Sequence, residues 1–152
     1  MIRTKFDTPA IKLHIREVLQ LENIDGSWVY EDHELMLVVD LIWIQGSVVW
    51  MNEDKSMVAL EDTGCEIAIL NCNSIPGGSS WITKNQYIMV VGEIHRNPSG
   101  ENTVHAIKMV SLSNRTVCEE LWPLEIMELR EVYKEMYSAS NGEVSDGKGF
   151  GE

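Results

Sequence analysis

Four histidines, three cysteines and one glycine-rich run are the residues here whose types could carry chemistry. His14, His33, His95 and His105 lie at no metal-ligand spacing to one another or to a cysteine. His95 and His105 are placed to face each other across two neighbouring strands, but two side chains make no site. Cys65, Cys72 and Cys118 form no Cys-x-x-Cys pair and read as packing residues. Pro76-Gly77-Gly78-Ser79-Ser80 lacks the Lys-Ser/Thr that a phosphate-binding loop needs. The acidic pairs Glu53-Asp54 and Glu61-Asp62 fall in turns, where solvation accounts for them. No acid, base and nucleophile assemble. The expectation is a non-enzymatic chain with no cofactor and no metal.

Charge narrows the partners. The net charge is −12. Residues 1–40, 41–111 and 112–152 each carry 4 basic side chains, against 8, 7 and 9 acidic ones. Nucleic-acid backbones are bound by clustered Lys and Arg that displace counterions, and no such cluster exists. Strong direct binding of nucleic acid is not expected, nor is attachment to an anionic membrane. An odd cysteine count points to a reducing compartment. Arg3, Lys5 and Asp7 interrupt the start of the chain before any secretory apolar run. Leu35 to Ile44, the most apolar stretch, contains Asp40 and is too short to span a bilayer. A cytosolic or nuclear protein is expected.

The elements that must position these residues are clearest after residue 40. Leu41–Met51 reads as a long strand with a bend at Gly46. Strands follow over 56–61, 66–70, 87–94 and 103–112, separated by the turns Asn52–Lys55, Asp62-Thr63-Gly64 and Asn97-Pro98-Ser99-Gly100. The connection 71–86 has room for a short helix. Residues 119–137 read as a helix with Pro123 in its first turn. Trp122, Ile126, Leu129, Tyr133 and Met136 form one stripe, with Glu125, Glu128, Glu131 and Glu135 off it and solvated. Before residue 40, Ile11, Leu13 and Ile15 alternate as in a strand, while Ile15, Val18 and Leu19 suit a helical turn; both readings stand. A short strand is expected near Trp28–Tyr30.

Five strands with a gap after the third, then a helix, is the order of an oligonucleotide/oligosaccharide-binding (OB) barrel. The expected fold is all-β with a C-terminal helix, built on a five-stranded OB barrel. Its expected divisions are an N-terminal extension over 1–40 packing on the barrel, the OB domain with its helix over 41–137, and a disordered tail over 138–152.

A small barrel alternates apolar inward and polar outward side chains. The last two strands depart from that rule. Tyr87, Met89 and Val91 oppose Ile88 and Val90. Val104, Ala106, Lys108 and Val110 oppose His105, Ile107 and Met109. The helix adds Leu121, Leu124, Met127 and Val132 beside its main stripe. Burying five such side chains is worth on the order of 10 kcal/mol before entropy is subtracted. The helix, the outer sheet, or both are therefore expected to pack on another subunit; the competing reading is a helix that only plugs its own barrel. Lys108, the one charged side chain between Glu101 and Arg115, either lays its stem on apolar surface with its ammonium in water or pairs with a partner. A single-strand binder would instead need a basic groove beside Trp43, Trp50, Trp81 and Tyr87, where only Lys55, Lys84 and Arg96 are near in sequence.

Four segments together resemble the RecQ-mediated genome instability protein 2 family. They are Trp43-Ile44-Gln45-Gly46-Ser47-Val48-Val49, Tyr87-Ile88-Met89-Val90-Val91-Gly92, Lys108-Met109-Val110-Ser111-Leu112-Ser113 and Leu121-Trp122-Pro123-Leu124-Glu125-Ile126. The resemblance covers about residues 41–132; the first 40 residues match poorly. It implies a nuclear OB-fold subunit that pairs with the C-terminal OB domain of a larger sister subunit (of the RecQ-mediated genome instability protein 1 type). That pair belongs to an assembly with topoisomerase III alpha and a Bloom-type RecQ helicase, which dissolves double Holliday junctions and docks other repair proteins. By residue match, Lys108 and Trp122 would contact partners together with Leu121. Ile126, Leu129 and Tyr133 would pack on the sister domain.

Overall fold

The computed structural model describes residues 10–112 and 114–149, the side chains of 140–149 excepted. Both readings of the first segment hold, one after the other. Ile11–Lys12 is a short strand, β1, and Ile15–Gln20 is a helix, α1. The Glu17 carboxylate accepts the His14 backbone N–H at 2.9 Å and so starts the helix. Ile15 and Val18 are fully buried in the main core, with Leu13 and Leu21 beside them. At the other end of α1, the buried Asn102 amide donates to the carbonyls of Val18 (2.8 Å) and Leu21 (3.0 Å). The Val18 carbonyl also accepts the Leu21 backbone N–H at 3.2 Å, so Asn102 fastens an already capped helix end to a distant part of the chain.

Next come β2 (Glu22–Ile24), β3 (Ser27–Asp32) and β4 (Leu35–Val39), an antiparallel three-stranded sheet. The strand expected near Trp28–Tyr30 is its middle member. Trp28, Tyr30, Leu35, Leu37 and Val39 face inward, with Leu35 and Val39 buried.

The ring is built from β5 (Ile42–Met51), β6 (Val58–Asp62), β7 (Cys65–Leu70), β8 (Tyr87–Arg96) and β9 (Asn102–Ser111). Its order is β5-β6-β7-β9-β8, and β8 pairs back onto β5. All contacts are antiparallel except β7 with β9. This is the connectivity expected of an OB fold. β5 closes it by serving two neighbours: Ile42–Ser47 pair with β8, and Ser47–Met51 with β6. The switch happens at Ser47, and beside it an added Cβ on Gly46 would stand 2.5 Å from the Glu61 carbonyl oxygen. Only glycine allows that approach. The connection after β7 holds a single 3-10 turn, Cys72–Ser74. The Lys55 ammonium ties the loop down by donating to the Ser80 carbonyl at 3.1 Å and to that of Ile82.

One strand face differs from simple alternation. Val91 pairs with Lys108 but Gly92 pairs with Ala106, so Ile107 is an extra residue in a β-bulge. The bulge shifts the phase of β9. Met109 therefore joins Val104 at the core, and Lys108 and Val110 turn outward together.

Candidate functional site: the two faces of the C-terminal helix

After β9 the chain enters α2, Arg115–Gly149. The helix starts four residues before the expected Glu119, so Pro123 is an interior residue rather than part of the first turn. There it removes one backbone donor and crowds the carbonyl four residues back. The helix also runs past its expected end at Tyr137 to Gly149, over most of the stretch expected as a disordered tail; residues 150–152 and the side chains from 140 onward lie outside the described residues.

The inner face of α2 closes over the chain's own ring. Trp122 is 1% exposed and Ile126 is buried. Tyr133 packs against the core and Leu129 is half-buried. Trp122 lies beside Ser47 and Tyr87 on the outward side of β5 and β8, where Tyr87 and Met89 are also buried. On that side the buried Gln45 amide donates to the Tyr87 hydroxyl at 3.3 Å, and its oxygen accepts the Trp43 indole N–H at 3.1 Å. Burial pushes the Tyr87 hydroxyl up to about 12, against a lowering influence from Gln45. A polar pair thus sits satisfied beneath an aromatic lid.

Charged side chains hold the helix along its length. Arg115 donates to the Ser47 hydroxyl (2.7 Å) and the Asn85 carbonyl (2.6 Å), with its guanidinium 5.8 Å from the Tyr87 ring. Lys12 reaches Glu125 at 2.8 Å. Arg130 pairs with Glu17 at 2.8 Å and lies 4.8 Å from the Tyr30 ring. Lys134 reaches Glu34 at 2.7 Å. Glu125 is therefore not one of the freely solvated glutamates that its position off the stripe predicted.

This arrangement places part of the main stripe within the chain itself. Trp122 and Ile126, expected as partner contacts, are buried in the isolated chain. What remains open is the opposite face. Val117, Leu121, Leu124 and Met127 are exposed, Leu121 by 45% and Leu124 by 54%. Their spacings of 4, 3 and 3 make a continuous strip, bordered by the exposed Glu120 and Glu128. Leu121, Leu124 and Met127 were legible as flanking residues. Val117 was missed because the helix start was set too late. Lys108 is exposed on the outward side of β9 beside Val110.

The His95 and His105 rings stack with centroids 3.8 Å apart, and Asn71 Nδ2 lies 3.1 Å from His105 Nδ1. No group of three or more His, Cys, Asp or Glu placed to hold a metal occurs among the described residues. Burial pushes the Cys72 thiol up to about 11, away from thiolate reactivity. No helix among the described residues is long and apolar enough to cross a membrane.

Comparisons with known proteins agree with this architecture. The chain is similar to a chain in the S. pombe Stn1–Ten1 complex, with a TM-score of 0.65 at 12% identity, over 88% of this chain and 99% of that one. It is also similar to a chain of a replication protein A heterotrimer solved with single-stranded DNA, with a TM-score of 0.58 at 17% identity, over 75% and 91% of the two chains. At these identities the likeness establishes the OB fold. Sequence relatives say more. RecQ-mediated genome instability protein 2 of Bos taurus is 31% identical over 131 residues, covering 83% of this chain and 82% of its own. The Gallus gallus protein is 34% identical over 97 residues, covering 63% and 70%. The family model for RecQ-mediated genome instability protein 2 matches residues 9–130, which takes in the N-terminal strand and helix as well as the ring, and the chain belongs to that family.

Proposed function

We propose that this chain is a non-catalytic OB-fold subunit that pairs with the C-terminal OB domain of a larger sister subunit. The pair scaffolds a nuclear assembly of a Bloom-type RecQ helicase and topoisomerase III alpha that dissolves double Holliday junctions. One observation carries this reading. α2 is already fastened to its own ring on one face, yet it leaves Val117, Leu121, Leu124 and Met127 in water on the other. A contiguous apolar strip of this kind marks an interaction surface, and a helix face with such spacing fits a second helix. The family name and the likeness to subunits of two multi-subunit assemblies support it. Lys108, exposed on the ring, is a second contact available to docked repair proteins.

Co-expression with the sister subunit tests the proposal. Leu121→Glu with Leu124→Glu should abolish co-purification while leaving the circular dichroism spectrum and unfolding midpoint of the isolated chain nearly unchanged. Co-purification equal to wild type would remove α2 from the interface. The alternative, an independent single-strand binder, is read by titrating the isolated chain with a labelled oligonucleotide. Tight binding that weakens steeply with salt would favour that alternative.

A further inference from the structure

The small sheet β2–β3–β4 has a second, outward face that the ring does not use. Its register places Glu22, Val29 and Val38 on one row, Glu31 and Met36 on another, and Ile24 at the open end. Ile24 is 53% exposed, and Met36 and Val38 are 48% exposed each. In β4 the inward side chains Leu35 and Val39 are buried while their neighbours Met36 and Val38 stand in solvent. Four apolar side chains thus form a patch with two carboxylates set into it. A shallow depression lined by Gln20, Glu22, Ile24, Val29 and Glu31 runs along one side.

The charge on the three strands themselves is one-signed, while Arg96, Arg130 and Lys134 reach the sheet from other elements at Trp28, Tyr30 and Glu34. From Glu17 to Asp54 the sequence contains nine Asp or Glu residues and no Lys or Arg. Glu17 and Glu34 are matched by Arg130 and Lys134 from α2. Glu22 and Glu31, in the patch itself, form no ion pair within 4.0 Å among the described residues. Nucleic acid and anionic lipid are repelled by such a face, and a cationic segment is attracted. The footprint is limited: six residues of β3 extend about 20 Å, and three strands span about 10 Å. That area accepts one short stretch of chain and is too small for a stable domain interface.

We propose that the outward face of β2–β3–β4 docks a short basic segment of a partner protein, with apolar side chains on Ile24, Val29, Met36 and Val38 and Lys or Arg side chains on Glu22 and Glu31. This surface is separate from the exposed strip of α2, so its test does not depend on the sister-subunit reading.

The probe is a fluorescein-labelled peptide of alternating lysine and isoleucine, about six residues long, titrated into the full chain by anisotropy. The methyl signals of Ile24, Val29, Met36 and Val38 are followed by NMR. Binding should shift those four methyls. Glu22→Lys with Glu31→Lys should weaken it by at least about tenfold and restore affinity for a peptide with glutamate in place of lysine. Glu53→Lys with Glu101→Lys, which changes the net charge equally at other exposed positions, should leave affinity within about twofold of wild type. Equal weakening by both pairs would show general attraction to an acidic protein and overturn the proposal. So would shifts centred on Val117, Leu121 and Leu124, or self-association through this face seen by sedimentation.

Discussion

The Lys12 ammonium sits 2.8 Å from the Glu125 carboxylate and 4.6 Å from the centre of the Trp43 ring, joining the first strand to the last helix across 113 residues. The Trp122 ring lies 6.0 Å from the same nitrogen. One cation thus stands between the ring's outer aromatic surface and the helix that covers it. Lys12→Ala should cost about 1 kcal/mol, because the Glu125 partner is partly exposed and the attraction is screened. Denaturant unfolding of the two proteins at low and high salt checks this. The difference should shrink in high salt, and a difference unaffected by salt would assign the loss to packing of the lysine stem.

Trp122 and Leu124 are two residues apart and should behave oppositely. Trp122→Ala empties a buried site and should destabilise the isolated chain by about 3–5 kcal/mol. Leu124→Ala, on the open face, should change stability by less than about 0.5 kcal/mol. Urea unfolding read through fluorescence and circular dichroism decides between them. If Trp122→Ala left stability intact, the helix would not be seated on its own ring as described.

Gly92 marks the tightest approach of β8 and β9. A Cβ there would stand 2.3 Å from the His105 carbonyl oxygen and 2.7 Å from Val104 Cγ1. Backbone and a buried side chain must both move to admit a methyl group, so Gly92→Ala should cost at least about 1–3 kcal/mol. Thermal unfolding measures it. Gly64→Ala probes a different cause. No atom lies within 4 Å of a Cβ there, but its φ of +85° disfavours any side chain.

The stacked histidines give the chain an acid-sensitive feature. Burial, and secondly the neighbouring His95, hold His105 below the ordinary imidazole value of 6.5. Its folded form therefore favours the neutral ring. The resulting stabilisation is complete above about pH 6.5. It is lost as pH falls through that value toward the lower folded one. The midpoint of wild type minus that of His105→Gln, followed from pH 7.5 to 5, should decline toward acid. NMR titration of the His105 ring proton should report the lowered pKa directly. A flat difference curve would show that the stack carries no proton linkage.

Much of the ring could be read from residue order because its signals are local. Apolar β-branched side chains and the turns Asn52–Lys55, Asp62-Thr63-Gly64 and Asn97-Pro98-Ser99-Gly100 mark the strands from Ile42 onward, and a glycine inside a long strand marks the bend of β5 at Gly46. β2 and β4 were not legible. Leu35 to Val39 is apolar at every position, so alternation cannot show which side chains face inward. The bulge at Ile107 was hidden too, because an extra residue in a strand leaves no mark in composition, and it reassigned Met109 to the core.

The sequence by itself determined that this chain carries an OB ring, an acidic composition and a helix with apolar side chains around much of its circumference. Only the tertiary structure decided which side of that helix faces home. Trp122 and Ile126 turn inward, Trp122 beside the buried Tyr87, while Lys12, Arg130 and Lys134 make ion pairs between the helix and the elements facing it. Those pairings join positions about a hundred residues apart. Their energy depends on distances that exist only after the ring has closed, which is why no local pattern announces them.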